Sequence, residues 1–187
     1  MRFFVYASAC AVLFFQQAAV LVAKESSGPQ VGDMLPNFTM RGVLDDEAGK
    51  SIDLVKDAAG RPIVLFFLHE RTRPSVVLAR QVLTDAANRK SSGLDAGLVL
   101  LTADAAGTED WVKIANQALP RGVPIGISTE GPAGPPAYNL SSKVIVTVIV
   151  ARNNRVVANF ALTQPSVTDD APAIAAAISA ALEKPAP

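Results

Sequence analysis

Ile63-Val64-Leu65-Phe66-Phe67-Leu68-His69-Glu70-Arg71-Thr72-Arg73-Pro74-Ser75 is the stretch on which the reading of this chain turns. Its first six residues are an unbroken apolar run, the mark of a strand covered on both faces rather than one. His69-Glu70-Arg71 ends the run with polar side chains. Thr72 then suits a helix N-cap, Pro74 fits the first turn, where its missing N–H costs nothing, and Ser75 falls at the third helical position. Val76, Val77, Leu78, Val82 and Leu83 recur at helical spacing up to about Arg89. A buried strand that feeds straight into an amphipathic helix is the first half of a strand–helix–strand unit.

The rest of the chain extends this unit in both directions. Downstream, Ser91-Ser92-Gly93 breaks the helix and Gly97-Leu98-Val99-Leu100-Leu101-Thr102 reads as a second buried strand. Residues 108–119 read as a helix, with Thr108 as N-cap and Glu109 and Asp110 placed to suit the helix dipole. Val123-Pro124-Ile125-Gly126-Ile127 reads as a short strand, expected at the periphery because it contains proline. Val144 to Ala151 is the most β-branched run. Asn153-Asn154 is a hairpin turn, because asparagine tolerates the left-handed conformation, and Val156 to Leu162 returns. A last helix is expected over Ala173–Leu182, started by Asp170 or Pro172. Upstream, Thr39–Leu44 and Ser51–Leu54 are short strands around the polar turn Asp45–Lys50. That acidic turn lacks the Asp-x-Asp-x-Asp-Gly spacing of a calcium loop. The first half predicts parallel strands and the second an antiparallel hairpin closed by a helix, so the fold class is α/β: one domain with a mixed central sheet and helices on both faces.

The N-terminus reads differently. Met1-Arg2, the apolar run Phe3–Phe15 and the small residues up to Ala23 have the three regions of a secretory signal peptide over residues 1–23, with cleavage expected after Ala23 and Ala19 as the second candidate. The rival is an uncleaved membrane anchor of the same extent. Residues 24–30 read as a polar linker and 31–184 as the exported domain. Composition narrows the chemistry further. Of 187 residues 50% are hydrophobic, 17 basic residues balance 17 acidic ones, and there is one cysteine, Cys10, and one histidine, His69. Loss of Arg2 with the leader leaves 16 basic residues against 17 acidic, and removes the cysteine as well. No disulfide, Cys-x-x-Cys pair, structural zinc site or multi-histidine metal centre can be built, and no cofactor is expected. A neutral chain without a basic run is not expected to bind nucleic acid, and membrane contact is expected only through an uncleaved leader.

Four stretches now carry a resemblance: Val31-Gly32-Asp33-x-x-Pro36-x-Phe38, Gly60-Arg61-Pro62 with the strand after it, Thr72-Arg73-Pro74-Ser75, and Thr147 to Val157. In this order and spacing they resemble the thioredoxin-like superfamily, specifically the secreted redoxins of the alkyl hydroperoxide reductase/thiol-specific antioxidant group, over about residues 31–182. The resemblance implies a thioredoxin-like domain and thiol oxidoreductase or peroxidase chemistry at Cys-x-Pro-Cys. Here Thr72 and Ser75 stand at both thiol positions, and Ile145 stands where the family places a cis-proline. A hydroxyl is un-ionised at neutral pH and needs an adjacent base to become a nucleophile, and it forms neither sulfenic acid nor disulfide. Thiol–disulfide exchange and thiol peroxidation are therefore excluded for the chain acting alone.

The degenerate positions Thr72, Arg73, Pro74 and Ser75 thus have no expected catalytic role, and capping accounts for them. The candidate ligand-binding residues are His69, Glu70, Arg71, Arg73 and Ile145, at the C-terminal end of the strand, where open α/β sheets place ligands. Arg71 and Arg73 beside the helix N-terminus suggest a small anion. A serine-hydrolase reading of Ser75 and His69 lacks Gly-x-Ser-x-Gly. The function expected is an exported, non-redox binding or structural module whose partner is a protein or a small anion, acting through residues 69–75 and 131–138. The alternative is an oxidoreductase using a non-cysteine centre or a partner's thiols.

Overall fold

The computed structural model describes residues 25–183, so the expected leader at 1–23 lies outside the described residues. Among these, seven strands form one sheet in the order β2-β1-β5-β4-β3-β6-β7. They are β1 (Met40–Gly42), β2 (Ser51–Ile52), β3 (Ile63–Leu68), β4 (Asp95–Leu100), β5 (Ile125–Ser128), β6 (Val146–Arg152) and β7 (Arg155–Leu162). The helices are α1 (Leu54–Ala58), α2 (Arg73–Asn88), α3 (Ala105–Ala115) and α4 (Val167–Leu182). The parallel centre β3–β4–β5 is the wound strand–helix–strand part, and β6 and β7 complete it antiparallel. The hairpin turn falls at Asn153-Asn154, both with positive φ.

All six residues of β3 are buried because both faces are covered. Val64, Phe66 and Leu68 join one cluster with α2, α3 and α4; Ile63, Leu65 and Phe67 join another with Leu54 and Val55 of α1, Phe38 and Tyr138. The helices divide three to one between the faces. On the thinner face Phe38, Phe67 and Tyr138 meet with ring centroids 5.2–5.6 Å apart, tilted or edge-on as their quadrupoles prefer. Tyr138 is buried and donates to the Pro36 carbonyl at 2.8 Å, so it is a core residue and not a surface contact. Gly97 lets α1 approach the sheet: a Cβ there would overlap Leu54.

The sequence reading is corrected at three helix starts and in the place of one strand. Ser51–Leu54 is a strand only as far as Ile52, because the Asp53 carboxylate accepts from Lys56 N–H at 3.0 Å and caps α1. α3 begins at Ala105, not Thr108, because Asp104 accepts from Gly107 N–H at 2.9 Å. α4 begins at Val167 behind Ser166, with Pro172 inside it. β5 is not peripheral. It lies between β4 and β1, since Pro124 precedes the strand and contributes only its carbonyl, which accepts from Leu98 N–H at 2.9 Å. The stretch read as a linker is packed down as well. Ser27 is fully buried, and Asn159 Nδ2 donates to the carbonyls of Ser27 and Pro29 at 2.8 and 2.7 Å.

Candidate functional site

β3 delivers His69 to the end of the sheet, and α2 starts three residues later. The start of α2 is closed. Thr72 Oγ1 accepts from Ser75 N–H at 3.3 Å, while Ser75 Oγ accepts from Thr72 N–H at 3.0 Å, a reciprocal capping box. The two hydroxyl oxygens are themselves 3.0 Å apart, and Ser75 Oγ also lies 2.7 Å from the Glu70 carbonyl. Ser75 is fully buried. Pro74 has no N–H and Val76 N–H is bonded to the Thr72 carbonyl, so of the first-turn donors only Arg73 N–H lacks a protein partner. No carboxylate or histidine reaches Ser75, and a hydroxyl without a base is not a nucleophile.

His69 is on the thinner face and is held from two sides. Its backbone N–H and that of Glu70 both donate to the Ile145 carbonyl, at 3.0 and 3.3 Å. Its ring Nε2 lies 3.0 Å from Thr147 Oγ1, and Thr147 Oγ1 lies 2.6 Å from Ser27 Oγ. Ser27 Oγ accepts in turn from Ser141 N–H at 3.0 Å. Thr147 and Ser27 are fully buried. Burial pushes the His69 ring down to about 4, so it is neutral at pH 7.

Beside His69 lies a cleft of about 630 Å³ at the C-terminal ends of β3 and β4. It is bordered by His69, Glu70, Arg71, Thr102, Trp111 and Pro132, among others. Arg71 stacks over Trp111 of α3, its guanidinium carbon 5.2 Å from the ring centroid. Thr108 is buried and donates to Thr102 Oγ1 at 3.1 Å, giving that wall a polar edge.

The structure thus brings His69, Glu70 and Arg71 to one cleft and leaves the other candidates off it. Arg73 is exposed on the helix, Thr72 and Ser75 face each other, and the Ile145 side chain packs into the core cluster beneath α2 and α4. Sequence reasoning missed Trp111, Thr102, Thr108 and Pro132 as cleft residues, and Ser27 and Thr147 as the support of His69. Only Trp111 carries a sequence signal, as the chain's one tryptophan; the others are ordinary in type and distant in sequence. Among the described residues there is no group of three or more metal-binding side chains, and no helix is long and apolar enough to cross a membrane.

No family model matches the sequence, and no curated protein matches it. Solved structures do match. A Chlorobium tepidum protein provisionally named thiol:disulfide interchange protein DsbE is 22% identical, with a TM-score of 0.65 over 82% of this chain and 99% of that one. Peroxidoxin BcpB from Mycobacterium tuberculosis is 17% identical, with a TM-score of 0.56 over 81% and 97%. A secreted disulfide oxidoreductase from the same organism, homologous to E. coli DsbE, is 13% identical, with a TM-score of 0.52 over 76% and 95%. The chain therefore has the thioredoxin-like fold, in a sequence that holds no cysteine after Cys10.

Proposed function

We propose that this chain is an exported thioredoxin-like protein without thiol redox activity, which works as a binding module through the cleft beside His69. The observation that carries this reading is the hydroxyl pair Thr72–Ser75, hydrogen-bonded at 3.0 Å within the capping box where the resembling redoxins have Cys-x-Pro-Cys. Both oxygens are engaged in holding α2, and neither has a base beside it, so the pair supports the fold and performs no reaction. Fold alone carries no activity, and the reactions named for the similar structures need thiols that this domain lacks.

The binding part of the reading rests on the cleft. It lies where open α/β sheets hold ligands, is of a size that ligand sites have, and combines an aromatic surface, a cation and hydroxyl groups. Export is supported by the leader-like residues 1–23 and by the secreted protein among the similar structures.

The test is capture on a column of residues 24–187 from an envelope extract of the source organism, compared with a Trp111→Ala/Arg71→Glu variant of unchanged circular dichroism. A partner held by the wild type and lost by the variant is the expected result. Capture unaffected by the variant contradicts the cleft as the binding surface.

A further inference from the structure

The hydrogen bonds around His69 fix which of its nitrogens carries the proton. Ser27 Oγ accepts from Ser141 N–H, and the remaining neighbour for its own proton is Thr147 Oγ1, at 2.6 Å. Ser27 is fully buried, where an unpaired O–H is disfavoured. Ser27 therefore donates to Thr147. The Thr147 proton is then free to go only to His69 Nε2, at 3.0 Å. An Nε2 that accepts belongs to the neutral tautomer with its hydrogen on Nδ1. Nδ1 has no protein partner among the described residues. His69, on the border of the cleft, thus has an unused N–H donor.

Arg71 supplies a second one. Its guanidinium lies over the Trp111 ring, a contact that consumes no hydrogen-bond donor, and no carboxylate lies within ion-pair distance of it among the described residues. The start of α2 does not compete for an anion, since its donors other than Arg73 N–H are consumed by the capping box or removed by Pro74. The place for an anion is therefore the cleft, on Arg71, and not the helix N-terminus between Arg71 and Arg73.

We propose that the cleft binds a monocarboxylate, held by the Arg71 guanidinium and the Nδ1–H of His69, with Trp111 and the leucines at the strand ends receiving the ligand's apolar body. This rests on the reading of the chain as a binding module and gives its ligand a chemistry. A carboxylate matches the forked edge of an arginine. Glu70 borders the same cleft, and its negative charge disfavours a dianion such as phosphate. A volume of about 630 Å³ accommodates a ligand of dipeptide size. The carboxylate is either a peptide C-terminus or a small organic acid.

The test is a nuclear magnetic resonance titration of residues 24–187 with N-acetyl-dialanine, its C-terminal amide, butyrate and phosphate, following the His69 ring nitrogens and the Trp111 indole. Before any addition the ring is expected to have Nε2 unprotonated; a proton on Nε2 overturns the assignment of donors. Saturable shifts with N-acetyl-dialanine and none with its amide are expected for a peptide C-terminus, and saturation by butyrate alone for an organic acid. Arg71→Gln is expected to weaken either by about tenfold, with Arg71→Lys between, both keeping the dispersed spectrum of the wild type. Equal binding of acid and amide, tighter binding of phosphate, or no saturable shift with any of the four overturns the proposal. Such a failure leaves the non-redox module standing, which falls only if the chain turns over thiols or its partner ignores the cleft.

Discussion

Thr72 and Ser75 decide what this domain can do. Two hydroxyls 3.0 Å apart, each also tied to the backbone, cap the start of α2. Ser75→Ala is expected to lower stability by about 1–2 kcal/mol in urea unfolding, since it removes the buried hydroxyl that bonds Thr72 N–H and the Glu70 carbonyl in the capping box. The pair sits in a geometry that thiols would use: a Thr72→Cys/Ser75→Cys double variant is expected to close an intrachain disulfide in air, read as loss of both free thiols in a thiol titration. Persistence of two free thiols would show that the α2 start no longer has the shape of a redoxin site. This pair was legible in the sequence because capping is local: N-cap, Pro74 and the third helical residue lie within four positions. Arg71 was legible only as a cation. That it lies on Trp111, forty residues away, depends on how α3 returns beside β4, and no local pattern encodes that.

At the scale of elements, the buried relay from His69 through Thr147 to Ser27 joins β3, β6 and the entering chain. The stretch 25–30 looks like a linker by composition, polar with Gly28 and Pro29, yet its one buried hydroxyl makes it part of the fold. Thr147→Val keeps the side-chain shape and removes the middle of the relay. It is expected to cost about 1–3 kcal/mol in urea unfolding and to increase amide exchange at residues 25–30, because the Ser27 O–H is left unpaired. The relay is also expected to weaken in acid. The folded ring resists protonation down to about pH 4, whereas the unfolded ring titrates near 6.5. Stability from His69 is therefore full above pH 6.5 and falls between 6.5 and 4, as the unfolded chain takes the proton first. Solvent screens the half-buried ring, so the loss is roughly 1–2 kcal/mol, and a His69→Gln variant is expected to lose that pH dependence in thermal unfolding. The element boundaries misread from sequence share a cause. Asp104 and Ser166 cap helices ahead of the positions where helical spacing becomes evident, and Asp53 caps a helix of five residues, too short to show a period.

Taken whole, the molecule is a sheet with a core on each face and no covalent staple. The order of elements and the parallel-then-antiparallel topology were legible, because β-branched runs, hairpin asparagines and helical spacing all survive in the sequence. The place of β5 was not, since a proline just before a strand looks like one within it. A chain from residue 24 onward contains no thiol, so reductant is expected to leave its melting temperature unchanged, as scanning calorimetry with and without dithiothreitol would show. The claim that governs everything else is that this scaffold has lost its thiol reaction. The most direct measurement is insulin disulfide reduction, together with thiol-dependent peroxide consumption, by residues 24–187 purified free of other proteins. The rate expected is that of dithiothreitol alone in both assays; turnover above that rate, proportional to protein concentration, would contradict the claim.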